Sequence, residues 1–558
     1  MLAIDYKSER TKDTSDILDS THLKKVVIAG PGTGKSYLFA ELIRKKREQG
    51  KSDFLAITFV GKLGDSLADD LCGLAKTTTM HSFARDFVLK YCKGWNYYPR
   101  MLELIAEDLK QEGIKEFTIG DENYEEKTKY YKAVGDADVV HYAVQICKKD
   151  ESKTPIFDLI LVDEYQDFNA IESEFVDLLA VKSEIVIVGD DDQALYSFKG
   201  SSPSFIREKY DLGNTYWESH TLRFCSRCTE VVIKYFDAIV DKYNLKNSSE
   251  LDPKKRRVEK KYICYMPDKE SDSKLNPKIH LIKNCPVGMI ARKIRHQLAE
   301  MAKNQKIKDI LVIGEARSCQ TLLKTVGQQL KNYGFKNVDL RDSIDVIPLQ
   351  QDIVDAYKFI VNDAESLLGW RILNNPIEAD KNGHLKNAKT LNTIINGSPS
   401  DLKKISQTDI QILENTIENW KFYLNKDKSK KDQAKVPDEP TRCDQNELIR
   451  KDVLTRELKS NNLSLSRPLS NLNITICNVL NSKGLSADVV FLIGFDQGRF
   501  PLKTEVSDSE VYQMLVALTR AKKRVYLINT IDRKVSDFSN CMTKDEWNIE
   551  TVDTIKND

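Results

Sequence analysis

The stretch VVIAGPGTGKS, residues 26–36, decides how this chain folds. The apolar run Val26–Ala29 predicts a buried strand, the glycines after it predict a loop, and Tyr37–Arg47 has helical periodicity. Backbone N–H groups of such a loop turn inward around a triphosphate, and the helix that follows directs its positive end at the charge. The sequence therefore predicts a nucleoside triphosphate site made of Ala29, Gly30, Pro31, Gly32, Thr33, Gly34, Lys35 and Ser36.

Lys35 and Ser36 carry the chemistry that this loop needs. The lysine would reach the β- and γ-phosphates, and the serine hydroxyl would bind Mg²⁺. The pattern G-x-x-x-x-G-K-[ST] is matched except at its first position, where Ala29 replaces glycine. An ordinary surface loop is the alternative, and the flanking strand and helix make it the weaker one.

Size and composition allow several cores but indicate no particular partner. The 558 residues suggest roughly three or four domains. With 85 Lys and Arg against 84 Asp and Glu, nucleic-acid binding would need a local basic groove. Of the 11 cysteines only Cys225 and Cys228 form a close pair, so we expect reduced thiols and no metal site. The absence of a signal-peptide pattern and of a membrane-length apolar run predicts a cytoplasmic protein, nucleoid-associated if bacterial.

Buried-strand patterns recur along the chain and predict an α/β fold with two parallel sheets, each carrying a mostly helical insertion. The strands are expected at Asp53–Phe59, Phe157–Val162, Glu184–Val188, Ile279–Ile282, Ile310–Ile313, Asn473–Thr475, Asp488–Ile493 and Arg524–Asn529. The first domain would comprise residues 1–85 and 156–215, with an insertion at 86–155. The second would comprise 216–346 and 471–545, with an insertion at 347–470 and a tail at 546–558. The basic run Lys254–Arg257 is expected to be a solvated loop, and Asn425–Arg442 a flexible linker.

An acidic motif follows one of these strands directly. Asp163-Glu164-Tyr165-Gln166-Asp167 begins where the strand Phe157–Val162 ends, at the edge where α/β sheets place ligands. Asp163 suits Mg²⁺, bound through water, and Glu164 suits the orientation and deprotonation of an attacking water. For a bare Asp-Glu pair a helix N-cap is the alternative, and it is weaker behind a phosphate-binding loop.

A third motif, GDDDQALYSFKG at residues 189–200, follows the next strand. Gln193 is a neutral side chain that could sense a γ-phosphate. Tyr196 and Phe198, with Lys199 beside them, offer a stacking platform of the kind that binds single-stranded nucleic acid. Taken alone, the two aromatic side chains would more simply belong to a core.

Together these motifs resemble those of the UvrD/Rep/PcrA-like superfamily 1 helicases. In the first half the resemblance rests on AGPGTGKS (29–36), AITF (56–59), TMHSFA (79–84), VDEYQD (162–167) and VGDDDQALYSFKG (188–200). In the second half it rests on LRFCSRCTEV (222–231), LNSKGLSADVVFLIGFDQGRFP (480–501) and VALTRAKKRVYL (516–527). The motifs occur in the family's order and span nearly the whole chain.

The resemblance implies two RecA-like domains that bind ATP and Mg²⁺ between them and move along single-stranded DNA, usually from 3′ to 5′. It implies that ATP is handled by Lys35, Ser36, Asp163, Glu164 and Gln193, with Arg227 and Arg520 reaching the γ-phosphate. Arginines from across a cleft stabilise transition-state charge and make hydrolysis depend on closure. The resemblance also implies DNA contacts at Thr58, Phe59, Thr79, His81, Tyr196 and Phe198, and gives Lys483 a role in coupling DNA to nucleotide.

Three positions depart from the family pattern. Asp16–Lys25 lacks the glutamine that reads adenine, and Ser226 replaces an aromatic residue that stacks on the base. Ser486 replaces an acidic residue near the ribose. Because the phosphate-reading positions are intact, we expect hydrolysis with relaxed nucleotide selectivity.

Two functions from different classes follow. The first is an ATP-dependent DNA helicase that separates strands in repair, recombination or defence against foreign DNA. The alternative is a DNA-stimulated accessory ATPase that regulates or feeds a partner nuclease without efficient unwinding by itself. The expected partners are single-stranded and tailed duplex DNA, with RNA left open because stacking does not read the sugar. We expect a monomer or weak oligomer with no membrane partner.

Overall fold

The computed structural model describes residues 5–59, 67–211, 216–243, 245, 256–316, 318–341, 355–356, 358–360, 362–363, 366–374, 469, 471–503 and 505–552. The expected linker Asn425–Arg442 and most of the expected insertion 347–470 lie outside these residues. Among the described helices, none combines the length and apolar content that crossing a bilayer requires.

The described strands are, in chain order, β1 Lys24–Ala29, β2 Phe54–Thr58, β3 Lys76–Thr79, β4 Asn96–Tyr97, β5 Ala133–Val134, β6 Leu159–Val162, β7 Ile185–Gly189, β8 Glu218–Leu222, β9 Phe224–Cys225, β10 Ile263–Cys264, β11 Ile279–Cys285, β12 Asp309–Gly314, β13 Asn337–Arg341, β14 Asn473–Asn478, β15 Ala487–Ile493, β16 Ala521–Thr530 and β17 Trp547–Thr551.

The described α-helices are α1 Tyr6–Asp19, α2 Lys35–Glu48, α3 Met80–Tyr91, α4 Met101–Gln111, α5 Glu122–Tyr131, α6 Val139–Lys149, α7 Ala170–Leu179, α8 Ser204–Asp211, α9 Glu230–Lys242, α10 Met266–Leu275, α11 Ile290–Asn304, α12 Gln320–Asn332, α13 Leu367–Asn374 and α14 Asp508–Leu518.

The first sheet is parallel throughout, with the strand order β3-β2-β6-β7-β1-β8. Its central strands β2, β6 and β7 are buried at every position, which explains their unbroken Val, Ile and Leu runs. Helix α7, which follows the acidic motif, starts with a capping box between Asn169 and Glu172. Because all strands run the same way, the loops that follow them gather at one edge of the sheet.

The second sheet is also parallel, with the order β13-β14-β12-β15-β16-β11-β17. Its core packs β12 and β15 against helices α11 and α12 on one face. Helix α14 starts with a capping box between Ser507 and Glu510 and leads into β16. The fold is therefore α/β with two parallel sheets, as the sequence predicts.

Two edge strands lie beyond the domain limits that the sequence analysis expected. Strand β8 pairs with β1 in the first sheet, so that sheet continues past the expected limit at residue 215. Strand β17 pairs with β11, so part of the expected tail 546–558 is an edge strand of the second sheet. Both strands are rich in polar residues because one side of an edge strand faces water, and a search for apolar runs misses them.

A separate, mostly helical unit comprises residues 87–141 and 346–464, described in part. Its core contains apolar side chains of α4, α5 and α13. The guanidinium of Arg371 is fully buried there and pairs with Asp108 at 2.9 Å and Glu107 at 3.1 Å. This pairing neutralises the cation and so avoids the cost of several kcal/mol that an unpaired buried charge would carry.

Candidate active site

The predicted motifs of the first half follow strands of one sheet and meet at its carboxyl edge. Residues 30–36 follow β1, Asp163 follows β6 and Asp190 follows β7. The segment at Thr58–Phe59 ends β2, and Thr79 ends β3. The strand order β3-β2-β6-β7-β1 therefore places Thr58, Phe59 and Thr79 on one side of the acidic motif and the phosphate loop on the other.

The phosphate loop has the backbone conformation that its glycines allow. Gly32 and Gly34 have φ angles of 68° and 96°, a region that other residues rarely adopt. Gly34 is the N-cap of α2, so the first amides of that helix face the cleft. Gly32 also packs against Arg227 so closely that a Cβ on the glycine would overlap the arginine, and Ser226 N donates to Gly32 O at 2.9 Å. The loop thus lies directly against the segment that carries Arg227.

Lys35 forms ion pairs with Asp163 and Glu164 of the acidic motif. Its Nζ donates to Glu164 Oε1 at 2.6 Å and lies 3.6 Å from Asp163 Oδ1. Burial lowers the pKa of Lys35, but the charges of Glu164 and Asp163 outweigh burial and raise that pKa above its usual value. Burial raises the pKa of Asp163. The sequence prediction that these groups share one site is thus matched by their distances.

Glu164 is held in an unusual backbone conformation. Its φ angle is 55°, a left-handed value that is uncommon for residues other than glycine and often marks functional sites. Gln166 Nε2 donates to Glu164 Oε2 at 2.7 Å, and Asp190 N donates to Gln166 Oε1 at 3.0 Å. Gln166 therefore ties the acidic motif to the end of β7.

Two cations of the second half reach the same site. Lys483, after β14, lies 3.1 Å from Glu164 Oε2 and contacts Asp167. Arg520, between α14 and β16, donates through Nη2 to Gln193 Oε1 at 3.1 Å. Burial lowers the pKa of Lys483 and lowers that of Arg520 to about 10. Burial also raises the pKa of Glu164, but Lys35 and Lys483 outweigh it and hold that pKa well below its usual range.

The predicted stacking residues form an aromatic platform beside this site. The rings of Phe59 and Tyr196 lie 5.0 Å apart, and those of Tyr196 and Phe198 lie 6.0 Å apart. Phe198 is 63% exposed, which an aromatic side chain of a core would not be. Lys199 and Lys483 lie 5.8 and 5.7 Å from the centre of the Tyr196 ring. The platform thus combines exposed aromatic surface with positive charge.

The remaining candidates for DNA contact are Thr58 and Thr79, at the ends of β2 and β3, and His81, in the first turn of α3. Thr58 Oγ1 is buried and has no hydrogen-bond partner among the described residues. Thr79 Oγ1 accepts from Ser82 N at 3.1 Å and so caps α3. His81 Nδ1 lies 3.7 Å from Glu172 Oε1, and burial raises the pKa of that carboxyl to about 7. Thr79 and His81 thus have local structural contacts as well as a predicted role.

A buried ionic cluster contacts Gln193, whose Nε2 donates to Asp190 Oδ2 at 2.7 Å. One carboxylate oxygen from each of Asp190, Asp191 and Asp192 lies within 4.8 Å of the other two, a spacing that could hold a metal ion. Protein cations neutralise them instead. Lys260 lies 2.8 Å from Asp192 and 3.3 Å from Asp190, and the cluster is completed by pairs of Arg207 with Asp191 at 2.8 Å and of Arg257 with Asp192 at 2.5 Å.

The expectation of a solvated loop at Lys254–Arg257 is wrong for Arg257. This side chain is 4% exposed and belongs to the ionic cluster, whereas Arg256 is partly exposed and pairs with Asp211. Lys254 and Lys255 lie outside the described residues. A run of basic letters does not show which of its members faces buried carboxylates across the fold.

The described cysteines are all free thiols. Cys225 and Cys228 flank Arg227 and are both buried, and Cys228 N donates to Cys225 Sγ at 3.4 Å. A hydrogen bond from Cys228 lowers the pKa of Cys225 to about 7. Cys225 of β9 lies opposite Cys264 in the neighbouring parallel strand β10.

A cleft of about 410 Å³ opens beside the phosphate loop. It is lined by Arg10, Gly32, Thr33, Gly34, Lys35, Ser36, Tyr37, Ser226, Arg227, Lys269 and Lys522. Sequence reasoning missed four of these side chains, namely Arg10, Tyr37, Lys269 and Lys522. The available signal was Tyr37, a large aromatic residue directly after Ser36.

The cleft fits a nucleoside triphosphate with its metal. Its volume lies in the range of about 300–1,000 Å³ that is usual for ligand sites. Glycines with left-handed φ angles free backbone amides for phosphate oxygens, and five cationic side chains line the walls. Ser36 lines the cleft and Asp163 lies 3.6 Å from Lys35, and both carry oxygen atoms of the kind that Mg²⁺ prefers.

Comparison with known proteins agrees with this geometry. Residues 11–122 and 119–212 match the UvrD/REP helicase N-terminal domain, and residues 404–531 match the UvrD-like helicase C-terminal domain. DNA helicase II of Rickettsia typhi is 22% identical over 91% of this chain and 90% of that protein. ATP-dependent DNA helicase Rep of Buchnera aphidicola is 34% identical over 22% of this chain. An ATP-dependent helicase/nuclease protein of Lactococcus lactis is 26% identical over 33% of this chain.

The extent of these matches differs. The chain covers only 19% of the Rep protein and 17% of the helicase/nuclease protein, whereas it covers nearly all of DNA helicase II. The two domain matches cover most of the chain, and the motif residues converge on one site. The chain therefore belongs to the UvrD/Rep family of ATP-dependent DNA helicases.

Proposed function

We propose that this chain hydrolyses ATP to move along single-stranded DNA from 3′ to 5′ and to separate duplex strands. The observation that carries the proposal is the position of Lys483. This lysine of the second half lies 3.1 Å from Glu164 of the acidic motif and 5.7 Å from the Tyr196 ring of the aromatic platform. A change at the acidic motif or at the aromatic platform would therefore move Lys483, which contacts both.

In this proposal each ATP-handling residue has one task. Lys35 binds the β- and γ-phosphates, and Arg227 and Arg520 neutralise charge on the γ-phosphate. Gln193 would contact that phosphate and, through its hydrogen bond with Arg520, couple phosphate binding to the position of the arginine. Glu164 orients the attacking water and takes its proton. When bound by Ser36 and Asp163, Mg²⁺ would supply positive charge beside the phosphate oxygens.

The contacts of Glu164 with Lys35 and Lys483 make this carboxylate a weaker base. Two lysines hold its pKa well below the usual range, and a carboxylate with a low pKa accepts protons poorly. Phosphate oxygens would draw Lys35 away from Glu164, because both compete for one ammonium group. Without that ion pair the pKa of Glu164 would move toward its usual value, and the carboxylate would accept a proton more readily.

Strand binding would use the platform of Phe59, Tyr196 and Phe198. Stacking of bases on aromatic rings contributes about 1–3 kcal/mol per base and does not depend on sequence. Thr58 and Thr79 end the neighbouring strands β2 and β3, and His81 lies in the first turn of α3. These residues would contact the same DNA strand. Because stacking does not read the 2′-hydroxyl, RNA is the comparison ligand for this site.

A tailed duplex tests the proposal. With ATP and Mg²⁺ the purified chain should displace the paired strand of a 3′-tailed DNA duplex faster than that of a 5′-tailed or blunt duplex. The Lys35→Ala variant should displace none. Equal displacement from both tails would refute the direction. A 3′-tailed RNA duplex measured in parallel tests the choice of DNA.

A second candidate function is a DNA-stimulated accessory ATPase that serves a partner nuclease. It is favoured by the similarity to a relative whose name describes an ATP-dependent helicase/nuclease. In this case ATP turnover would rise with single-stranded DNA, but no tailed duplex would be separated by the chain in isolation. Strand separation by the purified chain would therefore exclude this candidate.

A further inference from the structure

Glu172 has one carboxylate oxygen more than its structural task requires. It belongs to the capping box at the start of α7, in which its Oε2 accepts from Asn169 N at 2.8 Å. A capping box needs a single oxygen at this position, and glutamine serves there as well as glutamate does. The other oxygen, Oε1, is buried and has no hydrogen-bond partner in the part of the chain that the structure describes. The cap therefore explains neither the charge of this side chain nor the position of Oε1.

His81 lies beside this second oxygen. Its Nδ1 is 3.7 Å from Glu172 Oε1, a distance typical of an ion pair rather than of a direct hydrogen bond. The side chain of Glu172 is 1% exposed, whereas that of His81 is 34% exposed. The pair thus runs from the interior to the surface, with the carboxylate behind the imidazole. A carboxylate in this position stabilises the charged form of a histidine.

The surroundings of Glu172 place its titration near neutral pH. Burial raises the pKa of this carboxyl to about 7, against the lowering effects of the hydrogen bond from Asn169 and of the charge of Lys199. Tyr165 also faces it among the described residues, as a neutral phenol, because burial raises the pKa of that hydroxyl well above its usual value. Since the usual pKa of a histidine is about 6.5, Glu172 and His81 are paired groups that titrate in one pH range.

The pair lies where a DNA backbone is expected. His81 is in the first turn of α3, directly after β3, and Thr79 and Thr58 end β3 and its neighbour β2. An imidazolium binds a phosphate oxygen more strongly than a neutral imidazole does, because the hydrogen bond is charge-assisted. A carboxylate at the surface would repel the same phosphate. Buried behind His81, it supports the attraction instead.

We propose that Glu172 is a positioning residue for strand binding: its buried carboxylate keeps His81 charged, and His81 presents that charge to a phosphate of the bound DNA. This inference rests on the proposed function, in which His81 contacts DNA. It adds a residue that does not touch the strand and a pH dependence that aromatic stacking does not have.

The sign of the pH dependence follows from the histidine. His81 attracts phosphate when it is protonated, so the affinity for single-stranded DNA should fall as pH rises through the neutral range. Without the carboxylate of Glu172 the histidine loses its proton at a lower pH, so the fall in affinity begins earlier. Near pH 5.5 the histidine is charged with or without the carboxylate, and near pH 9 it is neutral in both cases.

Fluorescence anisotropy of labelled single-stranded DNA, at constant ionic strength from pH 5.5 to 9, tests the proposal. Glu172→Gln keeps the capping oxygen and removes the charge. We expect this variant to bind about three- to tenfold more weakly than the unchanged chain near pH 7, and within about twofold of it at both ends of the range. A loss of equal size at every pH, or no loss at pH 7, would overturn the proposal.

Two further variants separate an effect through His81 from an effect on folding. His81→Asn should flatten the pH profile, and adding Glu172→Gln to it should change the affinity no further, as expected for residues that act as a pair. Glu174→Gln is the matched control, because Glu174 lies on the same helix and pairs with Lys148 at the surface. It should follow the unchanged chain at every pH. A loss from Glu172→Gln that persists without His81 would contradict the pairing.

Nuclear magnetic resonance of the chain labelled with ¹³C-histidine tests the pair without DNA. The chain has seven histidines, and the signal of His81 is identified by its loss in His81→Asn. We expect Glu172→Gln to lower the titration midpoint of His81 by at least about half a pH unit, and an unchanged midpoint would overturn the inference. If the midpoint and the DNA affinity respond as expected but no duplex is separated, the proposed function fails while the role of Glu172 stands.

Discussion

Replacement of Lys260 by methionine would open the ionic cluster that contacts Gln193. The ammonium group has no exposed surface and lies 2.8 Å from Asp192 and 3.3 Å from Asp190, and it also contacts Asp191. Methionine retains a flexible apolar stem but removes the charge. Arg207 and Arg257 remain, so the cluster would hold two cations against three carboxylates.

The magnitude follows from the burial of this charge. Removal of one partner from a buried ion pair typically costs about 3–5 kcal/mol, because the other charge stays buried without compensation. For domains of about 150–250 residues each kcal/mol lowers the melting temperature by about 2–4 °C. For the larger of the two units we take the lower value, about 2 °C per kcal/mol. We therefore expect Lys260→Met to lower the melting temperature of that unit by about 6–10 °C.

The loss should also depend on pH. Burial raises the pKa of Asp190 even beside Lys260, and without the lysine this folded-state pKa should rise further. A carboxyl whose pKa is higher in the folded state contributes stability that is present below its unfolded pKa and is lost as pH rises through its folded pKa. The melting temperature of Lys260→Met should therefore fall further below that of the unchanged chain at about pH 8 than at about pH 5.

Arg256→Met is the matched control. Arg256 belongs to the same basic run, but its side chain is 40% exposed and pairs with Asp211 at the surface. Exposed pairs contribute at most about 1 kcal/mol, so this variant should melt within about 2 °C of the unchanged chain. Melting followed by near-ultraviolet circular dichroism at both pH values provides the comparison. If the two variants melt alike, the cluster does not carry the stability assigned to it.

Three further variants test the site. Arg520→Lys keeps the charge but loses the fork that donates to Gln193, and should lower the ATP turnover number by about 10²-fold or more; unchanged turnover would contradict the role of Arg520. Phe198→Ala should weaken single-stranded DNA binding by about 1–3 kcal/mol in fluorescence anisotropy, whereas Phe198→Trp should bind at least as well as the unchanged chain; equal loss in both would exclude stacking. Lys483→Gln should remove most of the DNA stimulation of ATP turnover, and stimulation at the original level would exclude Lys483 as the link.

Much of the fold could be predicted from the sequence because the central strands are buried on both faces. The runs at Phe157–Val162, Glu184–Val188 and Asp488–Ile493 correspond to β6, β7 and β15, which lie inside the two sheets. Within these two sheets, the strands that sequence reasoning missed are β3, β8, β13 and β17, and they form the edges. Edge strands have polar residues on their exposed side, so sequence hydrophobicity does not mark them.

The phosphate-binding part of the site was similarly accessible from sequence. Lys35, Ser36, Asp163 and Glu164 follow buried strands directly, so strand prediction places them at one edge of a sheet. The other side chains that line the cleft were not accessible in this way. Arg10 comes from helix α1, before the first strand, and reaches the cleft only through tertiary packing against Tyr265.

The ionic cluster shows the same limit. Asp190–Asp192 could be identified as an acidic group, but the cations that neutralise it come from distant parts of the chain. Arg257 and Lys260 lie in a polar segment whose composition is typical of a surface loop. Long-range pairing of buried charges has no periodicity, so it becomes visible only in the structure.

The central claim is that the nucleotide site is coupled to the aromatic platform. ATP turnover of the purified chain with and without single-stranded DNA tests this claim most directly. We expect single-stranded DNA to raise the turnover number at least about tenfold, and Glu164→Gln to abolish turnover while ADP still binds. Turnover that is unaffected by DNA, or that persists in Glu164→Gln, would contradict the account.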